Sequence, residues 1–357
     1  MAREESVTAS VRRHSEISTG PVSLRDLVHR FQPSPPTSVR SLSIKMGPFV
    51  PARDAFRFKN SFPIADAQIE QIRHRYQLAT DVVVGAAVGE VRNVLTGLSA
   101  SVPVVGTVGL PGAVVDAVIG AVTTQLAGAI VDHLVAGLFP GRFGRCGGMA
   151  FAGYDFYLID WTVDERFGTT PPASGLLGDY IFSRLLDSLD LNAGTFLDWV
   201  VNLSIMPTVS KTANLALGTA VGSLGGPVGA AFGALLGSQV NVFHLGGAIS
   251  TLGRTKNEWQ RIINKLDGQA AWPVGLVYGD SANPIDQHQI LAINYSDKHD
   301  GTANLTVWDN NDAAQSRVLT LDFRGSELHV GNSQRPLKGI FLEEYSPHHP
   351  PDSLRLP

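Results

Sequence analysis

A single cysteine, Cys146, among 357 residues rules out an internal disulfide framework and a cysteine-rich zinc site. Charge is also scarce. Charged residues make up 17% of the chain against 44% hydrophobic, which is apolar for a soluble protein yet short of a polytopic membrane protein. There is no basic stripe interleaved with aromatics, which argues against nucleic acid as a partner. The opening Met1-Ala2-Arg3-Glu4-Glu5 lacks an apolar run followed by a small-residue cleavage site. The expected location is therefore the cytoplasm, or outside the cell by a route needing no conventional signal peptide. Apart from His288, the histidines show no metal-ligand spacing, so neither a metal nor a cofactor is expected.

What is present divides the chain. Up to Lys59 there are ten basic against five acidic residues, which leaves 18 basic and 27 acidic in the remainder. This basic part is rich in Ser, Pro and Arg and has no sustained periodicity, so residues 1–60 read as a mostly disordered arm. Residues 61–138 read as helical. Ala65–Ala79 has amphipathic spacing, and a Val/Gly/Ala-rich stretch follows with no charge between Arg92 and Asp116. A second uncharged stretch lies between Lys211 and Arg254, where Gly225, Gly229, Gly233 and Gly237 recur every fourth residue on one helix face. Two readings stand for residues 94–138 and 212–250. They pack tightly within the fold, or they contact a membrane or a second copy of the chain. Leu176–Asp190, Thr195–Leu203 and Asn257–Leu266 read as further helices. Six strands then run from Val274 to Glu344, and the order of helices first and strands last indicates an α+β layered fold.

Around the cysteine the sequence is Phe143-Gly144-Arg145-Cys146-Gly147-Gly148-Met149, followed by helical apolar spacing. That places Cys146 at or just before a helix N-terminus, where free backbone N–H groups and the helix dipole stabilise a thiolate. The same N–H groups, including that of Gly147, suit an oxyanion, and the flanking glycines leave room for a substrate carbonyl. Arg145 either adds positive potential or is solvated. Downstream, His288–Tyr295 and Asn304–Trp308 flank the polar turn Ser296–Gly301. An antiparallel hairpin centred there places Ala292 opposite Leu305, Ile290 opposite Val307 and His288 opposite Asp309, all on one face. Histidine would then act as the base for the thiol and Asp309 would fix its tautomer.

These blocks, together with Trp272-Pro273-Val274-Gly275-Leu276-Val277, Val307-Trp308-Asp309-Asn310-Asn311 and Gly339-Ile340-Phe341-Leu342-Glu343-Glu344-Tyr345, resemble a bacterial group of papain-like cysteine-peptidase-fold proteins. The resemblance covers roughly residues 140–347 in separated blocks, and implies a domain over 139–347 with the glycine-rich stretch at about 206–253 as an insertion and 348–357 as a tail. It implies Cys146 as nucleophile, His288 as base and Asp309 as orienter, with Asn310 a second candidate for that last role. The glutamine that such enzymes carry shortly before the cysteine is absent from Leu138–Gly144; Gln289 or a backbone amide would have to take its place. Gln289, Gly147 and Asn310 are thus the oxyanion or substrate-binding candidates. The expected function is a peptidase or amidase acting by acyl transfer on a peptide or amide substrate. The alternatives are an effector with membrane-inserting or self-associating helices, and a non-enzymatic assembly protein on the same scaffold.

Overall fold

The computed structural model describes residues 47–101, scattered positions between 116 and 128, 141–203 apart from 162, 164–166 and 202, and 251–355 apart from 282. In chain order the elements are α1 (Pro51–Asp54), β1 (Phe62–Ile64), α2 (Asp66–Ser101), β2 (Gly141–Phe143), α3 (Cys146–Leu158), α4 (Leu176–Val200), α5 (Thr251–Gly268), β3 (Trp272–Tyr278), β4 (His288–Asp297), β5 (Thr302–Trp308), β6 (Ser316–Asp322), β7 (His329–Gly331) and β8 (Leu337–Leu342). The fold is α+β. Six antiparallel strands form a curled half-barrel in the order β7-β6-β5-β4-β3-β8, and β1 and β2 pair separately.

Helix α3 has no polar face, and every residue from Gly147 to Leu158 is buried. An all-apolar helix belongs in the centre of a core, and the chain supplies cover on each side. Helix α4 crosses so closely that a Cβ on Gly148 would lie 2.1 Å from the Ile181 carbonyl oxygen. Strands β4 and β5 contribute Leu291 and Trp308, which belong to the same apolar cluster as Met149, Ala152 and Tyr154. The opposite face of these strands carries Ile290, Ala292, Leu305 and Val307, which pack with Trp259 and Ile262 of α5 inside the curl of the sheet. Burial on both faces explains the near-continuous apolar run in the first half of β4.

The remaining cover of α3 corrects the expected extent of the basic arm. Phe49, Phe56, Phe58 and Phe62 are buried in the α3 cluster. Phe49 and Phe56 pack their rings against Trp308 at centroid distances of 6.0 and 6.2 Å. Burying each phenylalanine contributes about 1.5–3 kcal/mol, enough for residues 47–60 to pack despite their basic, proline-containing composition. The end of the chain is also tied in. Asp155 of α3, fully buried, accepts hydrogen bonds from Tyr180 (2.8 Å), Arg184 (2.6 Å), Tyr345 (2.6 Å) and the backbone N–H of His348 (2.8 Å). The stretch expected as a tail thus starts on a core carboxylate, and Leu354 within it is buried.

Helix α2 runs on from the expected Ala65–Ala79 segment to Ser101, and α4 joins into one helix what the sequence suggested as two. Residues 212–250 and most of 102–138 lie outside the described residues, so the glycine-spaced helix face lies outside them as well. Among the described residues no helix is long and apolar enough to cross a membrane.

The α3–α4 contact yields a direct test. Gly148→Ala should lower stability by about 1–3 kcal/mol or more, because the obstructing atom is backbone and cannot rotate away. Gly268→Ala, at the end of α5 with nothing within 4 Å of the added carbon, should leave stability unchanged or slightly raised. Urea unfolding of both variants decides the matter, and equal midpoints would show that α3 and α4 do not cross this closely.

Candidate active site

Three separate segments bring the sequence-predicted residues together. Cys146 is the first residue of α3 and is half-buried. His288 opens β4, and Asp309 follows the last residue of β5. His288 Nε2 lies 2.8 Å from Asp309 Oδ1, with each residue only 6% exposed. Cys146 lies close enough to the imidazole to raise its pKa together with Asp309. With Nε2 turned to the carboxylate, Nδ1 is the nitrogen left for the sulfur.

The pair meets by a route other than the expected register. Ala292 pairs with Val307 and Leu291 with Trp308, two residues away from the sequence-based alignment, and an irregularity at Ile293 separates them from the Tyr295–Leu305 pairing. The cause lies in the turn. Asp297 Oδ1 accepts from the His299 N–H and Asp300 Oδ1 from the Thr302 N–H, both at 2.8 Å, while His299 and Gly301 adopt positive φ. These side-chain-stabilised turns centre the hairpin near Asp300. At the site end the displacement is even, which keeps the side chains there on their faces, so the imidazole and carboxylate still meet; nearer the turn it is three residues, and the irregularity at Ile293 takes up the difference. His288 pairs across the sheet with Leu276 of β3. Asp309 instead caps the short 3-10 turn Asn310–Asp312, its side chain accepting from the Asn311 N–H at 2.9 Å.

The electrostatics favour an ion pair. Burial alone would lower the pKa of His288, but the hydrogen bond to Asp309 and the nearby Cys146 outweigh it and push it up to about 10. Burial would raise Asp309, yet the hydrogen bond and charge of His288, the Asn311 N–H and nearby Arg317 hold it below the usual carboxylate range. Arg317 Nη1 is 3.6 Å from Asp309 Oδ2, and its other nitrogen pairs with Asp312.

Two of the three residues expected to receive an oxyanion or substrate, Asn310 and Gln289, have their side-chain N–H groups engaged elsewhere. Asn310, fully buried, donates through Nδ2 to the Cys146 carbonyl and to the Gln289 carbonyl, each at 3.0 Å. It braces the start of α3 against β4 and has no N–H left for substrate. Gln289 spends both Nε2 hydrogens on Ser188 Oγ (2.7 Å) and Glu343 Oε1 (2.8 Å), so its oxygen is the end that faces Cys146, 4.0 Å from the sulfur. In this orientation it is an acceptor, not an oxyanion donor. Gly147 keeps its place at the helix N-terminus. The room its missing side chain leaves is already filled, since a Cβ there would sit 2.0 Å from Gln289 Oε1 and 2.3 Å from Ser188 Oγ. The glycine is required for packing rather than for substrate approach.

Arg145 is neither solvated nor aimed at the thiol. It is 1% exposed, and its guanidinium donates to the carbonyls of Gly178 and Pro63 and to Gln68, between the rings of Phe62 and Phe182. Burial draws its pKa down to about 10.

Sequence reasoning missed five residues around the site. Asn311 Nδ2 lies 3.2 Å from His288 Nε2, and Arg317 backs Asp309. Ser188 and Glu343 hold Gln289. Asn60 accepts from the Arg145 N–H, and its own N–H donates to the Asn310 carbonyl at 3.0 Å. Only Asn311 had a local signal, the Asp-Asn-Asn run at a strand end. Comparison with protein-family models, curated proteins and solved structures finds no match for this chain.

The His288–Asp309 pair has a defined pH window. His288 lies above its ordinary value of about 6.5, so its contribution to stability is complete below about pH 6.5 and disappears as the pH rises through about 10. Asp309 lies below its ordinary value of about 3.9, so its contribution holds above that pH and is lost as the pH falls through the depressed value. Asp309→Asn should therefore destabilise the protein by roughly 3–5 kcal/mol at neutral pH. The difference from wild type should shrink above about pH 10. Urea unfolding on either side of that pH checks this, and an undiminished difference would contradict an imidazolium–carboxylate pair.

Proposed function

We propose that the chain is a cysteine hydrolase of peptidase or amidase type, built on a papain-like scaffold and acting by acyl transfer through Cys146, His288 and Asp309. The observation that carries this reading is the buried His288–Asp309 pair, held at 2.8 Å, with the thiol that opens α3 near enough to bias the imidazole. That order of nucleophile, base and orienting carboxylate is what activates a weak nucleophile.

In the proposed reaction the His288 imidazolium already holds the proton of Cys146, and the thiolate attacks the substrate carbonyl carbon. That imidazolium is stabilised by Asp309, which accepts from Nε2–H without taking the proton. The carbonyl oxygen becomes an oxyanion. The donors positioned for it are the first backbone N–H groups of α3, at Cys146 and Gly147, because Met149 is the first residue of that turn bonded back, to the Arg145 carbonyl. Collapse breaks the C–N bond, His288 gives its proton to the departing amine, and Cys146 is left as a thioester. Water, deprotonated by His288, then attacks the thioester and releases the acid and the thiol. Rigid support comes from Trp308, fully buried beside Asp309 with Nε1 donating to the Ala313 carbonyl at 2.6 Å.

Because Cys146 is the only cysteine, any thiol reagent reports on this one sulfur. Iodoacetamide should label the protein once, and p-nitrophenyl acetate should give a burst equivalent to one acyl group per chain. Cys146→Ser should abolish both signals. His288→Ala should slow alkylation at neutral pH by about 100-fold, the lower range of a lost general base. Hydrolysis that persists undiminished in Cys146→Ala would refute the proposal.

A further inference from the structure

Behind the thiol lies a carboxyl group that the proposed reaction does not use. Glu343, immediately after β8, is 1% exposed, and its Oε2 is buried with no hydrogen-bond partner. Its Oε1 accepts from Gln289 Nε2 at 2.8 Å, and the oxygen of the same carboxamide faces Cys146. Among the described residues no lysine or arginine contacts Glu343. The groups that bear on it are Tyr76 from α2 and His288 and Gln289 from β4, with the neutral Ser188 of α4 on the far side of the Gln289 carboxamide. From β3, the Pro273 carbonyl accepts its N–H and the Trp272 indole donates to its carbonyl. Glu258 and Arg261 of α5 pair with each other and reach the flanking Leu342 N–H and Glu344, not Glu343.

Resting on the reading of Cys146 as a reactive thiol, we infer that Glu343 is a positioning residue whose protonation decides which end of the Gln289 carboxamide faces the sulfur. The argument is a count of hydrogens. An ionised Glu343 can only accept, so it must meet the carboxamide nitrogen. Ser188 takes the second hydrogen, and the carbonyl oxygen is left toward Cys146, where it suits S–H and opposes S⁻. A protonated Glu343 can donate. Its hydrogen then goes to Gln289 Oε1, with the Ser188 hydroxyl as a second donor, once the carboxamide has turned over. An N–H of Gln289 now faces the sulfur, where it stabilises thiolate and adds a donor for an oxyanion. Only one proton distinguishes the two arrangements, and the unpartnered Oε2 leaves the carboxyl free to present its protonated oxygen to the carboxamide. Burial pushes the carboxyl up to about 8, partly offset by the Gln289 hydrogen bond and the charge of His288, which places the exchange near neutral pH.

The test reads the sulfur and the carboxamide and needs no turnover. The iodoacetamide rate of Cys146 is measured against pH for wild type and Glu343→Gln, each with and without Gln289→Met. The ratio of Glu343→Gln to wild type should change by about threefold or more between about pH 7 and 9. It should be flat in the Gln289→Met background. A flat ratio with Gln289 intact, or an unchanged slope without it, overturns the inference. Wild-type protein alone provides a second check should Glu343→Gln fail to fold: the Gln289 side-chain NH2 resonances should shift with pH near 8. Resonances that stay fixed across that range also overturn it. A protein that shows this coupling yet forms no acyl intermediate would retire the hydrolase reading while leaving the carboxamide exchange in place.

Discussion

A helix with no face for water must be covered on every side, and the described structure is arranged to cover α3. Its sequence, from Gly147 to Leu158, is buried throughout. Helix α4, the inner strands, the phenylalanines before β1 and the residues after β8 each close one side. Glycines at the contacts set the spacing. Gly148 admits the backbone of α4, and Gly153 admits the Trp308 ring, which would lie 2.8 Å from an added Cβ. One polar residue breaks the apolar helix, Asp155, and it is saturated by an arginine, two tyrosine hydroxyls and a backbone amide. A buried carboxylate is tolerated on that condition.

The same demand positions the candidate site. Because α3 begins at Cys146, the exact placement of its first turn determines where the sulfur lies. Two carboxamides set that placement. Asn310 holds the Cys146 carbonyl to the Gln289 carbonyl, and Asn60 ties the Arg145 N–H to the segment before β1. Carboxamides suit this task because each supplies donor and acceptor without a charge to desolvate. Charge is kept for the His288–Asp309 pair, where burial strengthens the attraction between the partners. The result is a sulfur fixed by neutral braces beside a strongly polarised imidazole.

Much of this was legible along the chain where a period or a local cap carries the information. The glycines around Cys146 and the apolar spacing after it indicated the start of α3, and alternation in the two hairpin strands put His288 and Asp309 on one side. The register was wrong by three residues near the turn, and by two at the site end, because Asp297 and Asp300 stabilise a turn centred later than the polar run suggested. The pairing of the two groups survived because an even displacement preserves faces. What stayed hidden was contact between distant segments. Ser188, Glu343 and Asn60 have no periodicity that marks them as neighbours of residues 146 and 289. Phe49, Phe56, Phe58 and Phe62 were a usable signal, four large apolar side chains in fourteen positions, but the basic, proline-containing composition around them pointed toward an arm.

Asp309 caps the turn that follows β5, and Asn310 in that turn joins it to the start of α3 across 164 positions of chain. Cys146 lies in an early helix, whereas its imidazole and carboxylate lie near the end of the sequence, on strands whose pairings are themselves long in range. Such contacts form late in folding, after the entropy of closing large loops has been overcome. A nascent or partly unfolded chain therefore carries an ordinary thiol at residue 146, with no base beside it. The special environment of this sulfur arises with the completed sheet and is lost when the sheet opens, so the state of the thiol is a chemical report on the integrity of the whole fold.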